Sequence, residues 1–368
     1  MPLFVVFVFG AVILGAGAML SPALPTRQPR IGVAAVVAVA LIIGGALFWQ
    51  SLFGGDTLVI DYVLFALVMF VVLGGTFSQG QARAEADGGD LPDADQGWTG
   101  PQDLLFFGLV GLALLVLLRY LAPPASDATL SPGLELLTGY LSQQLSQPRP
   151  FIQESVAAVV ALLSLWAVYD LGGELRDKRT GRALGLVALP GILALFAGGQ
   201  FMLLLSLAFC SAWLLFVLRV QRLALWQDVL AGGLMLGATL YAGVPALVAA
   251  LLAGAAWWFF VRGYDAAPAE LTPRRRYGAA AALPGIALAG TLPWLVAQGA
   301  AVAAYAGDLL MGATVLLALL AGTLAGGLCL LAVWQRWLPP AVRDSLYRSY
   351  YPLAFIAGGV LLVLFLLL

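Results

Sequence analysis

Long apolar runs broken by short polar segments organise this chain from end to end. With glycine, proline and charge taken as breakers, they predict about twelve helical spans, over 2–20, 31–53, 58–77, 104–121, 152–170, 183–199, 200–218, 228–243, 244–261, 279–301, 309–334 and 351–368. Two longer runs need dividing. Gly198-Gly199-Gln200 splits 183–218, and Gly243-Val244-Pro245 splits 225–261, each into a tight hairpin of two short spans. Segment 122–151 differs: Leu134, Leu136, Leu137, Tyr140, Leu141 and Leu145 recur at roughly helical spacing, which predicts an amphipathic helix lying on the outer interface.

Composition agrees with the pattern. Of the 368 residues, 62% are hydrophobic and 10% are charged, against about 25% charged in a soluble domain. A soluble protein is excluded, and the fold class is an all-α polytopic membrane bundle. The 43 glycines, with many alanines, let such helices approach closely.

Total charge is nearly balanced, 18 basic against 19 acidic, so nothing favours nucleic acid as a partner. The distribution is not balanced. With the N-terminus outside, every basic residue except Arg119 and Arg149 falls on the inner side. Such a positive-inside bias sets both termini outside and requires both hairpin divisions; the expected location is a bacterial-type plasma membrane. The run Met1–Leu20 lacks a basic n-region and is read as a retained span rather than a signal peptide.

Four regions follow. Residues 1–121 hold four spans and an inner loop, 78–102, made acidic by Glu85, Asp87, Asp90, Asp93 and Asp95. That loop is either a solvated linker or a docking surface for a basic partner segment. Residues 122–151 form the interfacial segment, 152–301 a six-span core, and 302–368 two final spans. Trp334, Trp337, Tyr347, Tyr350 and Tyr351 flank those last spans as an interfacial aromatic belt does.

The chemistry open to the chain is narrow. Histidine is absent, which excludes His-ligated haem, His-Glu-x-x-His zinc sites and Ser-His-Asp catalysis. Cys210 and Cys329 lie singly inside apolar runs and read as small core residues. No metal and no cofactor are expected. No Asp, Glu, Lys or Arg lies near the middle of a predicted span, unlike the membrane-depth groups of proton pumps. Pro190-Gly191 and Pro284-Gly285 are either packed kinks or broken helices of the kind carriers use. The first pair and its surroundings echo the second: Arg182 with Ala188-Leu189-Pro190-Gly191-Ile192 recurs as Arg276 with Ala282-Leu283-Pro284-Gly285-Ile286.

Two acids stand out. Asp170 closes the fifth span and Asp228 opens the eighth, both on the inner side. If those spans pack together, the two carboxylates meet at one depth. A close pair shares a proton, so one member serves as general base on a water and the other polarises a carbonyl. The competing assignment makes both boundary residues, Asp228 capping its helix and Asp170 pairing with Arg176 or Arg179.

Residues 152–301 resemble the six-span core of the type IV prepilin peptidase family, membrane aspartyl proteases that process pilin-like precursors. Asp170 is followed by the charged Glu174-Leu175-Arg176-Asp177-Lys178-Arg179. After two spans comes Asp228, then the small-residue run Val229-Leu230-Ala231-Gly232-Gly233-Leu234-Met235-Leu236-Gly237. The last core span follows Arg274-Arg275-Arg276 and carries Leu283-Pro284-Gly285. By resemblance, Asp170 and Asp228 are the catalytic pair, and the activity is cleavage of a leader peptide at the inner face. The chain departs from the family pattern at Leu225-Trp226-Gln227, where glycines usually precede the second Asp, and at Leu230, where Lys is usual. No Pro-Asn follows Asp170, and there is no four-Cys segment. The resemblance implies a divergent member, active or inactive.

A second-ranked pair is Asp265 with Asp308, the latter in Tyr305-Ala306-Gly307-Asp308, but the charge map sets them on opposite faces. The alternative to an endopeptidase is a non-enzymatic membrane protein, either a carrier or a structural subunit. Expected partners are the lipid bilayer and either pilin-like precursors or other membrane subunits.

Overall fold

The computed structural model describes residues 2–21, 24, 30–53, 131–175, 178–260 and 273–298. The predicted spans 58–77, 104–121, 309–334 and 351–368, the acidic loop, the aromatic belt, Cys329 and the pair Asp265 and Asp308 lie outside the described residues. Every regular element among the described residues is an α-helix. In chain order they are α1 (Pro2–Leu20), α2 (Ile31–Phe53), α3 (Pro132–Leu145), α4 (Arg149–Leu175), α5 (Lys178–Ala197), α6 (Phe201–Leu223), α7 (Trp226–Ala242), α8 (Val244–Phe260) and α9 (Pro273–Ala297).

Among the described residues five stretches are long and apolar enough to cross a membrane: Ile31–Phe53, Arg149–Leu175, Thr180–Ala197, Phe201–Leu223 and Arg274–Ala297. Shorter apolar helices cover Phe9–Ala18 and Ala246–Ala255. Over its described residues the chain is therefore all-helical, with apolar helices suited to membrane insertion.

Both divided runs break at the predicted glycines. Gly199 turns α5 into α6 with φ 68°. Gly243 turns α7 into α8 at φ 140° and ψ 156°, a region essentially confined to glycine. The Pro-Gly pairs, by contrast, interrupt nothing: α5 runs through Pro190, and α9 through Pro284 and Pro293.

α4 and α6 form the centre. Their apolar windows are 72% and 78% buried, against 22% for α9. Phe196, Phe209, Phe216, Leu165, Leu204 and Leu205 fill the space between elements. Without water to drive helices together in a bilayer, close packing and interhelical hydrogen bonds must hold them. Ser164 on α4 donates to the Leu204 carbonyl of α6 at 2.8 Å, and the Trp213 indole of α6 donates to the Ala250 carbonyl of α8 at 3.0 Å. α4 and α5 cross at a glycine pair, where a Cβ on Gly172 would stand 2.7 Å from the Gly181 Cα.

The helix of segment 122–151 is α3. Ser131 caps it, accepting from the Leu134 amide at 3.3 Å. Its residues Leu134, Leu136 and Leu137 are buried. Gly133 lies against Ile43 of α2 and the Tyr241 carbonyl of α7, so α3 sits at the end of the bundle where α7 finishes.

Candidate functional site

The opposite end of the bundle gathers the charges. There α2 and α7 begin and α4 and α6 end. Among the described residues five charged side chains are buried together at this end: Arg30 before α2, Asp170 and Glu174 on α4, Arg219 on α6 and Asp228 on α7.

Arg219 is the hub. Its Nε donates to Asp228 Oδ1 at 2.8 Å and its Nη1 to Glu174 Oε1, also at 2.8 Å. Arg30 approaches Glu174 from the other side, with Nε 3.5 Å from Oε2. The order is Arg30, Glu174, Arg219, Asp228, alternating in sign across α2, α4, α6 and α7. A guanidinium suits the middle position because its fork reaches two carboxylates at once.

Local sequence explains how the groups meet. Asp170 and Glu174 are one turn apart and share a face of α4. Between them Gly173 leaves the space that Arg30 uses, since a Cβ there would stand 2.6 Å from the Arg30 Nη1. On α7, Asp228 falls in the first turn, where the positive end of the helix dipole favours an anion.

Asp170 has a different partner. Its Oδ2 accepts from the Val33 amide at 2.9 Å, with the Gly32 amide close to the carboxylate. These are the orphan donors of the first turn of α2. A carboxylate from another helix thus does the work of an N-cap side chain.

Helix ends here are closed by arginines. Arg222 donates from Nη1 to the Glu174 carbonyl at 2.9 Å and from Nη2 to the Leu175 carbonyl at 3.0 Å, closing α4. Arg276 Nε donates to the Gln221 carbonyl at 2.9 Å, and the Gln221 amide to the Trp258 carbonyl at 2.9 Å. Cations at helix C-termini satisfy free carbonyls and oppose the helix dipole.

Several sequence expectations are refined. α4 continues to Leu175, so Asp170 lies inside the helix rather than at its end. Asp228 is not an N-cap: Leu225 holds that position without a side-chain bond. The partner found for Asp170 is the start of α2; the side chains of Arg176 and Arg179 lie outside the described residues. Asp170 and Asp228 stand at the same end of the bundle, each held by its own partner, with Glu174 and Arg219 completing the network around them. Glu174, Arg30 and Arg219 were not singled out by the sequence. The available signal was the spacing of Asp170 and Glu174 at i and i+4.

Asp228 Oδ2 accepts no hydrogen bond among the described residues. Among the same residues no group of His, Cys, Asp and Glu has the arrangement of a metal site. Comparison of the chain with protein-family models, curated proteins and solved structures finds no match.

Proposed function

We propose that this chain is a non-enzymatic polytopic membrane protein, a structural subunit, crossing the bilayer about twelve times with both termini outside. The observation that carries this reading is the occupation of Arg219 by two carboxylates, Asp228 and Glu174. A catalytic carboxylate must be free to exchange a proton with a water beside the scissile bond. Asp228 instead gives one oxygen to a buried guanidinium, and Asp170 is engaged by the amides of α2. Both side chains are shielded, at 0% and 3% relative exposure. The arrangement serves to lock helices. Continuity of α5 and α9 through their prolines favours a subunit over a carrier built on broken helices.

A leader peptidase of the prepilin type is the second reading. It draws on the placement of Asp170 and Asp228 at one end of the bundle and on Asp228 Oδ2, which has no partner among the described residues. Cleavage would require Arg219 to release Asp228 and a substrate to open the site.

Co-expression with a pilin-like precursor separates the two. The subunit reading expects no processing by the unaltered protein, and lower thermal stability of the purified Arg219→Met variant. Processing that is lost in Asp170→Asn or Asp228→Asn, with stability retained, would reject it in favour of the peptidase.

A further inference from the structure

α2, α7 and α9 leave a cleft between them of about 230 Å³. Its walls include Leu41 and Gly44 of α2, Leu234 and Tyr241 of α7, and Ile286 and Gly290 of α9. Leu41, Gly44, Leu234, Ile286 and Gly290 are all half-buried, so the cleft opens sideways from the bundle. The hydroxyl of Tyr241 is directed at the Gly290 carbonyl, 3.4 Å away, and the hydroxyl of Thr291 donates to Ala287 at 2.8 Å. The polar groups of the wall are thereby used within it. An apolar cavity of about 150 Å³ holds one benzene ring, so this one accommodates a longer piece of hydrocarbon.

The second observation lies on the same helix. α9 begins with Arg274, Arg275 and Arg276. Arg276 is committed to the Gln221 carbonyl. Arg274 and Arg275 are exposed, and neither pairs with an acid among the described residues. Arg275 precedes Ile286 by three helical turns and shares its stripe, roughly 16 Å away along the axis at about 1.5 Å per residue. That is about half of a hydrocarbon core roughly 30 Å thick. Exposed Trp226 and Tyr277 mark the same level, as amphipathic rings do beside headgroups.

We propose that the α2–α7–α9 cleft holds one acyl chain of an anionic phospholipid whose phosphate is bound by Arg274 and Arg275. The arginines supply the charge that selects the headgroup, and the cleft supplies a slot at the depth where that lipid's chain runs. Neither half specifies the ligand alone: the arginines fit any anion, and the cleft fits any hydrocarbon.

Gly290→Leu tests the slot. Among the described residues a Cβ at Gly290 would meet only the Leu234 Cδ2, at 3.9 Å, so a side chain can start into the cleft there without meeting backbone. Leucine also favours a helix over glycine. The full chain would be purified from membranes and reconstituted in nanodiscs of equal phosphatidylglycerol and phosphatidylcholine. After detergent extraction, retained lipid would be counted by native mass spectrometry. The unaltered protein is expected to keep phosphatidylglycerol preferentially. Arg275→Gln should weaken that preference about fivefold, the effect of one surface arginine on an anionic lipid. Gly290→Leu should lose the retained lipid while its thermal unfolding in lipid-free detergent does not fall. Equal retention of the two lipids by the unaltered protein, or full retention by Gly290→Leu, would overturn the proposal. So would displacement by glycerol 3-phosphate, which carries the phosphate without chains.

Discussion

Arg219 on α6 and Asp228 on α7 share a 2.8 Å hydrogen bond although a helix end, a turn and a helix start lie between them. The turn makes this possible. Ala224 adopts a left-handed conformation, φ 48°, which ends α6, and α7 begins at Trp226. The chain reverses within a few residues and brings the last turn of α6 against the first turn of α7. The guanidinium then has Asp228 on one side and Glu174 of α4 on the other.

Removing the hub should cost more than removing either end. Arg219→Met leaves the buried Asp228 without its cation and Glu174 with Arg30 alone, and breaking a buried pair in this way costs about 3–5 kcal/mol. Asp228→Asn leaves Arg219 paired with Glu174 and should cost less. Thermal or chemical unfolding of the detergent-solubilised variants would give the order, and a double-mutant cycle at Arg219 and Asp228 should return a coupling energy clearly above zero.

Asp170 can be tested by the chemistry of its replacement. Asparagine keeps an oxygen that accepts from the Val33 amide, whereas alanine keeps none. If capping is the role of Asp170, Asp170→Ala should cost about 0.5–2 kcal/mol, typical of a lost N-cap, and Asp170→Asn distinctly less. Equal losses would argue that the charge, rather than the acceptor, is what α2 needs. Hydrogen exchange at the amides of Gly32 and Val33 gives a local readout.

Glycines of α4 and α9 should respond in opposite ways to alanine. Gly173→Ala pushes a methyl into the Arg30 guanidinium, 2.6 Å from Nη1, and should lower the unfolding temperature by displacing Arg30 from Glu174. At Gly278 nothing among the described residues lies within 4 Å of the added atom. Gly278→Ala should be neutral or stabilising by up to about 1 kcal/mol, the helix preference of alanine over glycine.

Gly243 should resist any side chain. Its φ of 140° with ψ 156° lies in backbone space that costs other residues about 1–3 kcal/mol. Gly243→Ala should be destabilised by that order in an unfolding measurement, without any change in the groups of the charged end. A variant as stable as the parent would mean that the α7–α8 turn relaxes to another conformation.

What the sequence determined by itself is the helical, membrane-compatible character and much of the punctuation. Apolar length and the shortage of charge leave few alternatives to helices. The predicted ranges 2–20 and 31–53 coincide with α1 and α2. The divisions at Gly199 and Gly243 were legible because glycine enters positive-φ backbone at no steric cost. The sequence also set Asp170 and Asp228 at the same side of the bundle, since an even number of crossings returns the chain to the same face.

The partners of those acids were decided only by tertiary structure. Hydrophobic periodicity places a residue along a helix, but it does not say which helices pack together or how each is rotated. Glu174 looked like one charge in a polar turn, and Arg30 and Arg219 like members of a positive-inside count. Once α2, α4, α6 and α7 pack at their charged ends, the same residues become a buried alternating network. A desolvated charge must find an opposite charge or a hydrogen-bond donor, and the nearest ones belong to helices remote in the chain.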